Sequence, residues 1–194
     1  MRVIAGTARG TALRVPKTDL RPSMDLVKGA IFSSLFDFVK GARVLDLFAG
    51  TGALGIEALS RGAAHVTFVE NDPIAVKSIE QNLAKTRLRG EVHALDIFSF
   101  LDRRAAPVTF DLIIADPPYA KQPGERDFAP ELLASESLRR MLAPGGIFIL
   151  EHLPGATLPL RDVWECTRDK RYGATAVAFL RRPVAPAEIA PPQE

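Results

Sequence analysis

Asp116-Pro117-Pro118-Tyr119 is the stretch whose residue types and spacing best suit chemistry. It follows Phe110-Asp-Leu-Ile-Ile-Ala115, where Leu112, Ile113 and Ile114 form the unbroken apolar run of a strand buried on both faces. The two prolines remove two backbone donors and fix two φ angles, so the chain must turn rigidly at the carboxyl end of that strand. Open α/β sheets place ligands at this edge. A carboxylate, exposed backbone carbonyls and an aromatic ring are thereby held over a cleft. The set suits a flat base with an exocyclic amine. Asp116 and the Pro117 carbonyl accept from the NH2, and Tyr119 stacks on the ring. The plain alternative is a tight turn with a surface tyrosine.

The first half of the chain bears on that choice. In Arg43-Val-Leu-Asp-Leu-Phe-Ala-Gly-Thr-Gly-Ala-Leu-Gly55 a strand over Val44–Phe48 runs into a glycine loop, and the loop opens a helix over Ala53–Arg61. Glycines let backbone approach a ligand closely, and a helix N-terminus offers free N–H groups. Gly50-Thr-Gly-Ala-Leu-Gly55 also fits the dinucleotide pattern GxGxxG, so an oxidoreductase is one reading. Glu70 ends the next expected strand, His65–Glu70, and can bind ribose hydroxyls in either class. Asp46 lies inside the strand before the loop, where it can meet a cationic amino group. Asp96 follows a third strand, Glu91–Leu95, and can accept from an adenine amine. A nicotinamide enzyme needs neither. A ligand with a methionine amino group, a ribose and an adenine uses Asp46, Glu70 and Asp96 in turn, and that ligand is S-adenosylmethionine. Singly, each acid could be an ordinary surface carboxylate.

Other elements must position these groups. Residues 1–15 read as a basic hairpin, with strands Arg2–Ala5 and Thr11–Val15 around Gly6–Gly10. A loop follows over Pro16–Pro22. Ser23 can cap a helix to about Val39, whose stripe is Val27, Ala30, Ile31, Ser34, Leu35 and Phe38, and Gly41 ends it. Asp72 and Pro73 start a helix to about Lys85, with Val76, Ile79 and Leu83 facing the core. Residues 120–128, with Lys121 and Arg126, read as a mobile lid. A helix over about Pro130–Leu142, a strand over Ile147–Glu151 and two strands meeting at Arg171-Tyr172 complete the domain. Residues 183–194 read as a proline-rich disordered tail after a single domain, 1–182.

The 194 residues are 47% hydrophobic and 25% charged, enough for one globular core. Net charge is only +2. Yet residues 1–28 carry Arg2, Arg9, Arg14, Lys17, Arg21 and Lys28 against Asp19 and Asp25, which suits RNA phosphates as well as a solvated surface. The single Cys166 excludes a disulfide framework, and the three histidines lack metal-ligand spacing. No apolar run approaches membrane-spanning length, and the start does not read as a signal peptide. The expectation is a cytoplasmic, metal-free protein with no membrane partner.

The ordered motifs resemble the RsmD-like 16S ribosomal RNA guanine-N2 methyltransferase family over about residues 1–182. The resemblance is carried by Met1-Arg-Val-Ile-Ala-Gly6 with Arg9-Gly10, and by Leu20-Arg-Pro-Ser23 with its helix. It continues in Leu45-Asp-Leu-Phe-Ala-Gly-Thr-Gly-Ala-Leu-Gly55, Glu57-Ala-Leu-Ser-Arg-Gly-Ala63, Asp116–Tyr119 and Tyr172-Gly173. It implies a Rossmann-like α/β S-adenosylmethionine-dependent methyltransferase fold: a seven-stranded, mostly parallel sheet with an antiparallel last strand, extended by the N-terminal hairpin and helix. It implies cofactor contacts from Asp46, Phe48, Gly50 and Gly52, from Glu70 and Asn71, and from Asp96 and Ile97. Asp116, Pro117 and Tyr119 become the catalytic set. Arg2, Arg9, Arg14, Arg21, Pro118, Lys121 and Arg171 become contacts to ribosomal RNA in a small subunit or assembly intermediate, with the protein acting as a monomer. Gly29 and Ser33 depart from the family pattern, which usually has an acid and often an asparagine there. Adenine-N6 or protein-glutamine methylation with the same motif, a dinucleotide oxidoreductase, and an inactive RNA-binding module are the other readings.

Overall fold

A computed structural model of the chain describes residues 1–15, 24–103, 109–120 and 124–183. The sheet is built from β1 (Arg43–Leu47), β2 (His65–Glu70), β3 (Glu91–Ala94), β4 (Phe110–Ala115), β5 (Leu142–His152), β6 (Glu165–Tyr172) and β7 (Thr175–Arg181). Its order is β3-β2-β1-β4-β5-β7-β6. The first five strands are parallel, and β7 runs antiparallel to both β5 and β6. Helices are α1 (Met24–Leu35), α2 (Ala53–Ser60), α3 (Pro73–Thr86), α4 (Ile97–Arg103), α5 (Phe128–Ala134) and α6 (Glu136–Met141).

Alternation along the strands divides the core. Val44, Leu112, Ile114, Ile149 and Val177 face α1, α2 and α3. Leu45, Leu47, Ile113, Phe148 and Leu150 face α4, α5 and α6. With both faces covered, the inner strands need apolar residues at successive positions. Gly55 shows how tightly one layer packs: a Cβ there would lie 2.3 Å from a ring carbon of Phe68.

Several boundaries differ from the sequence expectations. Residues 1–15 form no pair of strands, only an isolated antiparallel bridge between Arg2 and Ala12. The reason is competition for the backbone donors. Ile4 and Ala5 donate their N–H groups to the Glu57 carboxylate at 2.8 and 3.1 Å. Thr7 and Ala8 donate to the carbonyl and hydroxyl of Ser60. The segment is therefore sewn onto α2, with Val3, Ala8 and Leu13 in the core. The first helix stops at Leu35, because Phe36 turns to φ +49°, and a 3-10 turn covers Phe36–Val39. The helix expected to begin at Pro130 starts earlier and is broken in two at Ser135, whose hydroxyl accepts from Leu138 and caps α6. Strand β5 begins at Leu142, not Ile147. Helix α4 falls where no helix was expected. Arg21, Ser23, Lys121 and the tail from residue 184 lie outside the described residues.

The join between the N-terminal segment and α2 is ionic as well as backbone-mediated. Glu57 is fully buried. Arg61 Nε lies 2.7 Å from its carboxylate and Lys28 Nζ 3.5 Å. Lys28 Nζ also donates to the Arg2 carbonyl at 2.6 Å. Burial lowers the Lys28 pKa, against the opposing pull of Glu57 and Asp25. Removing one member of such a cluster leaves an uncompensated buried charge, at about 3–5 kcal/mol. Glu57→Ala should therefore lower the melting temperature by about 10 °C for a chain of this length. Thermal unfolding checks this; an unchanged transition would show that the cluster contributes nothing to stability.

Candidate cofactor and target-base site

The loops after β1, β2, β3 and β4 meet at one sheet edge because these neighbouring strands run parallel. Leu47 pairs with Val69 and with Ala115, and Glu70 pairs with Ala94. Asp46, Phe48, Gly50, Gly52, Glu70, Asn71, Asp96, Ile97 and Asp116–Tyr119 are thus brought to the carboxyl edge. Arg2, Arg9, Arg14 and Arg171 are exposed elsewhere along the surface. Arg171 lines a separate small pocket with His152 and Asp169.

The glycine loop is held by its neighbours. Phe48 ends the strand a residue early by adopting φ +56°, a conformation that costs a bulky side chain on the order of 1–3 kcal/mol. Gly50 follows at φ +54°, and a Cβ there would meet only the Phe48 carbonyl oxygen, at 3.9 Å. The loop surface above Gly50 is therefore open. The Glu70 carboxylate accepts from Gly50 N–H at 2.8 Å, and from Asn71 and Asp72 N–H at 2.8 and 2.9 Å. Glu70 ends β2 as expected, but it is largely buried and its carboxylate holds the loop after β1 to the turn after β2.

Asp46 is fully enclosed and accepts from Gly55 N–H at 2.8 Å. Burial pushes its carboxyl up to about 8, and the charges of Asp116 and Glu70 add to the rise, while the Gly55 N–H opposes it. Asp96 caps α4 by accepting from Ser99 N–H at 2.9 Å. Ile97 is buried at the first turn of that helix.

At the target-base end Pro117 is buried, Pro118 exposed and Asp116 half-buried. The Tyr119 hydroxyl lies 2.5 Å from Thr175 Oγ1 on β7, which also lies 3.2 Å from a carboxylate oxygen of Glu151 on β5. Nothing in the local sequence points to Thr175 and Glu151, because a strand pairing brings them to the motif. Phe98, Arg126 and Phe128 also escape a reading by motif. The Arg126 guanidinium sits 4.8 and 4.7 Å from the Phe98 and Phe128 ring centres, and Phe128 meets Phe48 edge-on at 5.1 Å. A bidentate pair with Glu131 fixes Arg126 from the other side. Among the described residues, no group of three or more His, Cys, Asp or Glu is placed to hold a metal ion.

Comparison with known proteins places this geometry. A family model described as "Conserved hypothetical protein 95" matches residues 1–181. The chain is 37% identical to the "Ribosomal RNA small subunit methyltransferase D" of Escherichia coli K12, over 94% of this chain and 90% of that one. The chain belongs to the RsmD-like family of RNA methyltransferases. A hypothetical protein of Thermus thermophilus superposes with a TM-score of 0.76 at 34% identity, covering 92% of this chain and 98% of that one. The T. thermophilus 16S rRNA N2 G1207 methyltransferase, solved with AdoMet and guanosine, gives 0.70 at 25% identity, over 86% of this chain and 44% of that one. The RsmD-like family resemblance and the methyltransferase fold read from the sequence are both borne out. Among the described residues no helix is long and apolar enough to cross a membrane.

The raised Asp46 carboxyl sets a pH dependence for this RsmD-like chain. The folded protein holds that proton up to about pH 8, while the ordinary value is 3.8. The folded state therefore binds the extra proton across that window, and its stability falls as pH rises through it. Asp46→Asn keeps an oxygen for Gly55 N–H and removes the ionisation. Denaturant unfolding at pH 5 and pH 8 should show the variant gaining on the wild type by at least about 1 kcal/mol at the higher pH. An equal difference at both pH values would mean that Asp46 is already ionised at pH 5.

Proposed function

We propose that the chain transfers a methyl group from S-adenosylmethionine to the exocyclic N2 amine of a guanine in 16S ribosomal RNA, guanine 966 by the family resemblance. The observation that carries this reading is the junction of Asp116, the Pro117 carbonyl and Tyr119 with the glycine loop, at one edge of a methyltransferase sheet. The donor set fits the cofactor. Open space lies above Gly50, one carboxylate ends β2 and another follows β3, and the enclosed Asp46 is suited to an ammonium. The Gly50–Gly52 loop would lie under the cofactor with Phe48 beside it. Glu70 and Asn71 would take its ribose, and Asp96 and Ile97 its adenine. The guanosine in the solved T. thermophilus N2 methyltransferase favours guanine over the adenine-N6 and glutamine readings.

S-adenosylmethionine supplies a methyl group already activated by its sulfonium. What the chain must supply is a nucleophile, since the N2 lone pair of guanine is delocalised into the ring. Asp116 and the Pro117 carbonyl accept from the two N2 protons and turn the lone pair out of the ring plane toward the methyl carbon. Once that nitrogen has formed its new bond it must shed a proton, and the Asp116 carboxylate is there to take it. The extruded base costs a few kcal/mol to unstack. Tyr119 returns about 1–3 kcal/mol by stacking. Much of the rate comes from positioning. Exposed Arg2, Arg9 and Arg14, with Arg21, Lys121 and Arg171, would contact phosphates, while Pro118 would touch the base. These contacts would involve a small subunit or assembly intermediate, with the protein acting as a cytoplasmic monomer.

Single-turnover transfer to small-subunit RNA or particles tests the assignment. Asp116→Ala should bind cofactor normally and slow transfer by orders of magnitude, mainly in kcat. Asp116→Asn should keep more activity, because its amide oxygen still accepts one hydrogen bond. From sequence alone, Tyr119→Phe is expected to be tolerated. With Thr175 holding the hydroxyl, it should instead cost several-fold in rate, on the order of the 1 kcal/mol of one hydrogen bond. Near-normal transfer by Asp116→Ala would reduce the motif to a turn and end the proposal.

A further inference from the structure

Beside the N-terminal segment, between α1 and the end of β6, lies an open pocket of about 450 Å³. The reaction described above does not use it. Its apolar wall includes Leu26, Gly29 and Ala30. Leu26 is 67% exposed. Gly29 sends no side chain into the space, and a Cβ there would touch only Ile4, at 3.5 Å. Three groups with donors, Ser33, Arg61 and Tyr172, line the rest together with the acid Asp25.

The three have donors to spare. Arg61 uses Nε on Glu57, and its guanidinium carbon sits 5.2 Å from the centre of the Phe32 ring. Its terminal nitrogens have no protein partner among the described residues, and neither do the hydroxyls of Ser33 and Tyr172. The acid at the rim, Asp25, is already engaged by Arg2 N–H and Lys28. Apolar walls with a few convergent donors that the protein itself leaves unused suit a ligand. The donors favour a ligand rich in acceptors, and the aromatic ring a flat one. Tyr172 also faces Thr175 across the β6–β7 turn, and Thr175 holds the Tyr119 hydroxyl. The pocket is thus one strand pair away from the target-base motif.

We propose that this pocket receives a second nucleotide of the substrate RNA, one that flanks the extruded target. The inference rests on the activity proposed above. The base lies against Leu26, Ala30 and Tyr172, Ser33 hydrogen-bonds its edge, and Arg61 meets the adjoining phosphate. Single-stranded RNA is read in this way, with unstacked bases laid on aromatic side chains and bonded along their edges. Anchoring a neighbour on one side fixes the register in which the target reaches Asp116.

Filling the pocket tests the proposal. Gly29→Leu and, from the other end, Ser33→Leu place side chains in the space without touching the buried cluster. Affinity for a labelled fragment of small-subunit ribosomal RNA is measured with S-adenosylhomocysteine present, alongside calorimetry of that nucleoside alone. Both leucine variants should bind RNA about tenfold more weakly, the loss of one stacked base. Affinity for S-adenosylhomocysteine should match the wild type. Gly29→Ala, which reaches only Ile4, should lose less than Gly29→Leu. Wild-type RNA affinity in the folded leucine variants would overturn the proposal. A loss confined to assembled particles would overturn it too, since the pocket would then face a ribosomal protein. A wild type that binds RNA but transfers no methyl group would defeat the proposed activity, leaving the pocket to be judged on the affinities.

Discussion

Three backbone N–H groups converge on the carboxylate of Glu70, and the geometry of the site depends on that convergence. Gly50 comes from the loop after β1, and Asn71 and Asp72 from the turn after β2. A carboxylate is the only side-chain group with acceptor capacity for all three donors at once. It ties two adjacent strand ends together at the point where Phe48 has already bent the chain into an unfavourable φ. The negative charge has a second effect. After burial and the charge of Asp116, it helps keep the Asp46 proton in place. One acid is held as an acceptor and the other as a neutral group, with a single glycine loop between them.

The N-terminal segment is part of the same construction. Asn82 on α3 accepts from Arg14 N–H at 2.7 Å and donates to the carbonyls of both Arg14 and Thr51. Thr51 lies in the glycine loop. The segment that carries Arg2, Arg9 and Arg14 is thus two hydrogen bonds from the glycine loop, and through Glu57 it is one bond from α2. On the proposed activity, RNA held by those arginines would pull on elements that also shape the glycine loop. A detached hairpin would leave the two binding events independent; this connection makes a coupling between them physically available.

The parallel strands are legible in the sequence because burial on both faces forces apolar runs such as Leu112–Ile114, and punctuation by glycine or proline marks their ends. The same logic exposes the glycine loop, the Asp72 cap and the Asp116–Tyr119 turn. Helix α4 is also within reach: Asp96 as cap, then Ile97, Phe100 and Leu101 at helical spacing. It escapes notice because the helix is short and Asp96 reads equally well as a ligand contact. The N-terminal strands fail because Glu57, more than fifty residues away, takes the donors a ladder needs. The partner of Tyr119 is hidden for the same reason. Thr175 meets it from β7, with Glu151 of the neighbouring β5 bonded to Thr175 in turn, a non-local arrangement that no spacing within the motif encodes.

Asp46, Glu70, Asp96 and Asp116 lie at successive strand ends, and each is fixed by a different backbone contact or turn. On the proposed activity they face a cofactor that enters with a sulfonium and an ammonium and leaves with the sulfonium charge gone. Burial, with the charges of Asp116 and Glu70, opposes the ionisation of Asp46, and a bound cation relieves that cost. The relief is larger for the methyl donor than for its product, because the product carries one positive charge fewer. The acids therefore discriminate by charge between two ligands of nearly the same shape. Asp46, the most deeply buried of them, carries this response, since burial retains its proton near neutral pH. On the proposed activity, the feature that makes this edge costly to fold would thus also favour the donor over the product at the glycine loop.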